Sequence, residues 1–260
     1  MIIARSPTLL CRSLKNHLIP NYNFLKNVVI HDEKIVKVLK NMLWLFSLKS
    51  KNFGPNIAVL KDIGVPQSQI SFLVTNMPRA AYSKHYKFCK VVNRVKEMGF
   101  NPTQTVFVMA VGVINQLKES VWESKFEVYR RRGWSEDETL AAFRRHPCCM
   151  QISEEKITKV MDFLVNKMGW LSRDISKWPE VFTYSLEKRI VPRCFVIQVL
   201  LSKGLIREYK SPLAYLKLTE SKFIEKYITR FQEKVPQLLD VFGGKIDFLD
   251  IYHEFQRSGK

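Results

Sequence analysis

The residues of this chain whose types and spacing could do chemistry are basic. Arg130, Arg131 and Arg132 are three consecutive guanidinium groups. Lys90 and Arg94 stand four apart and share one face of any helix that carries them, with Lys96 following in the same run. Lys156 and Lys159 come next, then Lys188, Arg189 and Arg193, the last two again four apart with Pro192 between them. A guanidinium is a planar fork that grips a phosphate or a guanine edge through two bonds, which the compact ammonium of lysine cannot do. Together these groups offer recognition of a polyanion. A solvated face normally mixes signs, yet no acidic residue occurs from Ile63 through Lys96. A plainer role exists for some of these cations, because the helix dipole favours Lys and Arg in a last turn by about 0.3–1 kcal/mol each. Lys61, Lys96, Lys167, Lys203 and the three arginines all shortly precede a glycine, so this role and phosphate contact stand side by side. Three adjacent arginines exceed what capping needs.

Other chemistries find little support. His17, His31, His85, His146 and His253 form no H-E-x-x-H, and there is no glycine-rich phosphate loop or nucleophile elbow. Asp247 and Asp250, beside Gly243 and Gly244, read as turn or cap residues. Five cysteines are scattered without a C-x-x-C pair, and Cys148 and Cys149 are too close for an ordinary bridge. Cys89 and Cys194 lie in apolar helical runs and read as small core residues. The expectation is a non-enzyme with no cofactor and no metal, in a reducing compartment.

Charge points the same way. The 260 residues are 46% apolar and carry a formal charge of +18. Residues 1–207 hold 33 basic and 16 acidic residues, whereas residues 208–260 hold 9 against 8. The excess belongs to the first part, where a polyanion is the natural partner. No apolar run reaches membrane-spanning length, and the longest, Val106–Ile114, reads as a buried helix. The first acidic residue is Asp32, preceded by Arg5, Arg12 and Lys15, as in a transit peptide. Pro7 through Ser13 nevertheless fits the repeat described next, so the preferred reading is a chain that begins inside a repeat, as a shortened form.

The elements that position the cations recur. Helix-ending glycines fall at Gly64, Gly99, Gly133, Gly169 and Gly204, at spacings of 35, 34, 36 and 35. Prolines that open a short element fall at Pro7, Pro78, Pro147 and Pro179, with replaced prolines near Met42 or Leu43 and near Gly112. A serine follows most of these points by five or six residues: Ser13, Ser47, Ser83, Ser153 and Ser185. Each unit reads as two α-helices and a short turn. In the unit after Gly133, Ser135 and Glu138 form a capping box, the first helix stops before Pro147, and Ser153 caps the second. Ile157, Val160, Met161, Leu164 and Met168 then make one apolar stripe. Val91, Val92, Val95 and Met98 do so before Gly99, and Val121, Trp122, Phe126 and Tyr129 before Gly133. A lone helix pair cannot bury such a stripe, so neighbours must stack. After Pro212 the period fails. Thr219 or Ser221 caps a last helix over residues 223–231, and residues 213–260 read as a helical cap on the array of residues 1–212.

The run Tyr184-Ser-Leu-Glu-Lys-Arg-Ile-Val-Pro-Arg193 with Gly204, preceded by Trp178-Pro179, resembles the C-terminal repeat of the mitochondrial transcription termination factor (mTERF) family in its plant form. The tail from Leu213 to Phe223 is similar to the end those proteins carry. The resemblance implies an all-α superhelical solenoid, here of about six repeats, each with two α-helices and a short 3₁₀ helix. It also implies a basic concave surface that binds nucleic acid in mitochondria or chloroplasts, with Arg189 and Arg193 at the family's basic signature positions. The expected function is binding of double-stranded DNA by a monomer, with termination or other control of organellar transcription. The nucleic-acid-binding candidates are Lys90, Arg94, Lys96, Arg130, Arg131, Arg132, Lys156, Lys188, Arg189 and Arg193. Binding of RNA for splicing or processing is the alternative, and a protein-binding scaffold of the HEAT or armadillo kind is another. Met98-Gly-Phe-Asn-Pro102 looks like a pentatricopeptide junction, but Gly133-Trp-Ser and Gly169-Trp-Leu-Ser do not.

Overall fold

The computed structural model describes residues 11, 13–30, 32–41, 52–207 and 211–245. Arg5, Pro7, Arg12, His31, Met42, Leu43, Ser47, Asp247, Asp250 and His253, which figure in the sequence reading, lie outside the described residues. Among the described residues every regular element is helical. The fold class is the all-α helical-repeat solenoid read from the period. Contacts divide the chain into two compact units, residues 1–125 with 146–151, and residues 126–145 with 152–260.

The first unit opens with a wide π-type turn, Leu14–Leu18, capped by the Ser13 hydroxyl, which accepts from the Asn16 amide at 3.1 Å. Helices α1 (Ile19–Val28), α2 (Asp32–Asn41), α3 (Phe53–Asp62), α4 (Gln67–Asn76) and the single-turn α5 (Pro78–Ala81) follow. Next come α6 (His85–Glu97), α7 (Thr105–Gln116) and the first part of α8 (Glu119–Arg131). The 3₁₀ turn Pro147–Gln151 packs on α7. α6 is built for its place, with Phe88, Val91, Val92 and Val95 buried on one stripe and cations on the other. It packs between α3 and α7.

The second unit holds the rest of α8, α9 (Glu136–Arg145) and α10 (Glu154–Asp162), which runs into a π-turn at Phe163–Lys167. The single-turn α11 (Ser172–Ile175) and the 3₁₀ turn Pro179–Thr183 lead to a second π-turn, Leu186–Ile190, that enters α12 (Val191–Ser202). The short helices α13 (Leu213–Leu216), α14 (Glu220–Phe223) and α15 (Leu238–Phe242) close the unit, with α15 packed on α12. Helical backbone continues past α14 to Phe231. Thr219, rather than Ser221, accepts from the first turn of α14.

The glycine period has one structural cause. All five marker glycines lie at φ between 64° and 85°, the left-handed region that a Cβ disfavours. At each, the amide after the glycine reaches back into the last turn: Val65 to the Leu60 carbonyl, Phe100 to Val95, Trp134 to Tyr129 and Leu205 to Leu200. This is the Schellman closure. At Gly169 the reach is one residue longer, Trp170 to Leu164, because that helix ends in the wide turn. The apolar contact that accompanies such a closure is plain at Gly133, where Trp134 stacks on Tyr129 at 4.5 Å. Trp134 also donates its indole N–H to the Ser172 carbonyl at 2.9 Å, and the Ser172 hydroxyl donates to the Arg132 carbonyl.

Two markers do other work than the period suggests, and one stripe residue is not buried. Near Gly112 there is no short element, since α7 runs through it unbroken. The glycine serves close packing: a Cβ there would lie 1.9 Å from the Met77 Sδ. Ser83 does not cap α6, whose N-cap is Lys84. Its carbonyl accepts from the buried Asn56 amide and its hydroxyl from Asn115, both at 2.9 Å, so it joins three helical segments. Val121 is 37% exposed although Trp122 and Tyr129 are buried. The capping box is present as read, with the Ser135 amide donating to Glu138 at 2.8 Å and the Glu138 amide donating to the Ser135 hydroxyl at 3.1 Å. Ser153 and Ser185 likewise accept from the amides of Lys156 and Lys188. Ile157, Val160, Met161 and Leu164 are buried, and Met168 is half-buried. Cys194 is fully buried, which pushes its thiol up to about 12. Cys89 is not a core residue, being half-buried with its sulfur 3.6 and 3.8 Å from the two ring nitrogens of His85.

Candidate nucleic-acid interface

In the first unit the burial of Phe88, Val91, Val92 and Val95 leaves Tyr86, Lys90 and Lys96 exposed along α6. Lys90 and Lys96 stand outside every ion pair found among the described residues. Arg94, on the side of α6 that meets α8, is committed. Its Nη1 and Nη2 donate to the two carboxylate oxygens of Glu119 at 2.7 and 2.9 Å. The guanidinium also lies over the Trp122 ring at 5.4 Å. The hydrogen bond from Arg94 holds the Glu119 carboxyl below the usual carboxylate range, and the charges of Arg94 and Lys90 add to the effect. Lys87 donates to the Asn115 carbonyl at 2.6 Å, closing the C-terminus of α7. Here the capping of a helix end by a cation is realised, but from a neighbouring helix.

In the second unit the three consecutive arginines divide among three acids, Arg130 and Arg131 sharing Glu127. Arg130 pairs with Glu127 at 2.7 Å, Arg131 with Glu127 at 3.4 Å and Glu154 at 3.2 Å, and Arg132 with Asp162 at 2.8 Å. Successive helical residues point about 100° apart, so adjacency in sequence does not make one forked patch. All three remain partly exposed, and exposed pairs of this kind hold by about 1 kcal/mol or less. Lys156 lies with Lys159 in a shallow groove between the capped starts of α10 and of the turn that enters α12. Ser153, Ser185, Glu155 and Glu187 share that groove, so its sign is mixed. Glu155 pairs with Lys159 at 2.6 Å. Lys188 is exposed, and the half-buried Arg189 lies over the Tyr184 ring at 5.2 Å.

Arg193 is the correction. Only 2% of it is exposed. Its Nη1 donates to the carbonyls of Tyr215, Leu216 and Leu218 at 2.9, 3.1 and 2.7 Å, and its guanidinium lies over Phe223 at 4.8 Å. The expectation that it shares an outward face with Arg189 fails at the π-turn. A turn of more than four residues precedes Pro192, and the register slips between residues 189 and 193. Arg193 is thereby carried into the core, where it satisfies the carbonyl end of α13.

Sequence reasoning missed Tyr86, which is 72% exposed beside these cations. The signal was available: an apolar stripe through residues 88, 91, 92 and 95 leaves position 86 on the opposite face. Among the described residues no cluster of His, Cys, Asp and Glu could hold a metal ion, and no helix is long and apolar enough to cross a membrane.

Comparison with known proteins bears on what such a repeat array is. The chain is 22% identical over 230 residues to the chloroplastic transcription termination factor MTERF8 of Arabidopsis thaliana, covering 74% of this chain and 46% of that protein. It therefore spans less than half of that relative's length. The mTERF family model matches residues 1–107 and again 83–224. With glycine-closed helical units running through both matched stretches, the chain belongs to the mTERF family.

Proposed function

We propose that this chain binds nucleic acid through the exposed cations of successive repeats, seats on duplex DNA, and controls organellar transcription by blocking or positioning the polymerase. The observation that carries the reading is the charge of the Ile63–Lys96 segment, six cations and no carboxylate, on helices of a family whose namesakes terminate transcription. Lys90, Lys96 and Lys188 are the first contacts. Arg94, Arg130, Arg131 and Arg132 follow as phosphates displace carboxylates from the weak exposed pairs, and Lys156 and the Arg189 that lies over Tyr184 extend the set. Residues 1–212 form the binding array in this reading, closed by residues 213–260. The compartment is a mitochondrion or a chloroplast, the second being that of the relative.

Phosphate contacts of this kind set register and orientation without reading sequence. Each one on duplex DNA steepens the fall of log affinity with log salt by about 0.9. With about six contacts, binding weakens by about a thousandfold between about 50 and 200 mM salt. Fluorescence anisotropy with a labelled duplex across that range tests the reading, and a flat response rejects it. Matched RNA as competitor separates DNA from RNA, since A-form duplexes are read by shape and 2′-hydroxyls.

A further inference from the structure

A groove of about 690 Å³ opens in the first unit between the start of α6 and the junction of α7 and α8. Its flank is the ring of Tyr86, and its floor is apolar, formed by Val91, Ile114 and Leu117. Its rim carries Lys90 and Lys118, both exposed and outside the ion pairs of the described residues. Lys87 and Arg94 line it too, the first bound to the Asn115 carbonyl and the second to Glu119, the acid of the groove.

The exposure of Tyr86 is what needs explaining. A tyrosine ring gains by burial, and this one is left 72% open at the edge of an apolar floor, ringed by positive charge. An apolar slot beside a π-face suits a flat heterocycle, and flanking ammonium groups suit the phosphates on either side of it. An acidic peptide would use the cations but not the slot, and an apolar peptide would use the slot but leave the cations desolvated. Bases inside a duplex cannot enter, because both their faces are already stacked. We propose that this groove binds single-stranded nucleic acid, with one unpaired base stacked on Tyr86 and its flanking phosphates against Lys90 and Lys118. The inference rests on the nucleic-acid reading above and adds to it a grip on strands exposed when a duplex opens or a transcript emerges.

Stacking on one aromatic ring tolerates every base and is worth roughly a factor of ten in affinity. The test measures anisotropy of labelled single-stranded DNA and RNA of one mixed sequence, and of the matching duplex, with the wild type, Tyr86→Ala and Tyr86→Phe. The expected result is about a tenfold loss for Tyr86→Ala on both single strands, and little change on the duplex. Tyr86→Phe keeps wild-type affinity because the π-face remains. The salt slope is unchanged in both variants, since no charge is removed. A labelled strand carrying 2-aminopurine should be quenched by the wild type and by Tyr86→Phe, and not by Tyr86→Ala. Circular-dichroism melting checks that the variants fold, as expected for an exposed helical position. Equal single-strand binding by Tyr86→Ala and the wild type overturns this inference and leaves the function proposed above standing. A wild type that binds no nucleic acid overturns both.

Discussion

The guanidinium of Arg193 lies 4.8 Å from the centre of the Phe223 ring while its Nη1 donates to three backbone carbonyls. No carboxylate neutralises it by an ion pair among the described residues. Burial, followed by the charge of Arg189, pulls its pKa down, yet arginine keeps its proton in proteins. The carbonyl end of α13 and the aromatic face take the place of a counter-ion. Arg193→Ala strands the carbonyls of Tyr215, Leu216 and Leu218, and should destabilise the fold by about 3 kcal/mol. Urea unfolding measures this. Arg193→Lys should restore little, because an ammonium on a straight stem does not reproduce the planar fork.

Glu119 competes for Arg94. Replacing it by glutamine removes the acid of the α6 groove and releases the guanidinium. Duplex DNA should then bind more tightly, with a salt slope steeper by up to about 0.9 if Arg94 turns to a phosphate. The stability effect of the pair is small because both partners are partly exposed, about 0.2–1 kcal/mol at most. Its sign is fixed by the depressed Glu119 pKa. The contribution is present above the ordinary carboxylate pKa and disappears as pH falls through the lowered folded value. Chemical denaturation of the wild type and Glu119→Gln should therefore differ at neutral pH and converge in acid below that value.

Two glycine substitutions separate two causes. At Gly112 the backbone is ordinary helix, so alanine meets a neighbour rather than a forbidden φ: Met77 Sδ stands 1.9 Å from the Cβ position. Gly112→Ala should cost about 1–3 kcal/mol by overpacking, and adding Met77→Ala should recover part of the loss. At Gly99 the Cβ would meet nothing within 4 Å, but φ is +82°. Gly99→Ala should cost about 1–2 kcal/mol through backbone strain, and no neighbouring truncation should rescue it. Thermal melts of the three single variants and the Gly112→Ala, Met77→Ala double variant give the coupling.

The unit after Gly133 offers a check on local signals. Ser135 and Glu138 exchange hydrogen bonds with each other's amides at the start of α9. Ser135→Ala removes one acceptor and should cost about 1 kcal/mol. Hydrogen exchange should report faster opening of the first turn of α9 than of its last.

By itself the sequence determined the unit and its period. A residue that must take a left-handed φ, a serine three residues before its helix-capping glutamate, and a proline that ends a helix act within one or two turns, so they are legible without a third dimension. The family and the all-α repeat class follow from that local grammar, as does the identity of most buried side chains along each stripe. Tertiary structure decided the fate of the charges. Arg189 and Arg193 look equivalent at a spacing of four, but a single wide turn sends one to the half-exposed Tyr184 and the other beneath α13. Arg130, Arg131 and Arg132 look like one patch, but each meets a different set of acids. Gly112 looks like a vacant proline position, but it makes room for Met77. The partners of Arg94, Arg132 and Arg193, and the neighbour of the missing Cβ at Gly112, are set by segments 20 to 40 residues away. Local periodicity carries no information about those distances, and only the packing of neighbouring helical repeats within each compact unit supplies it.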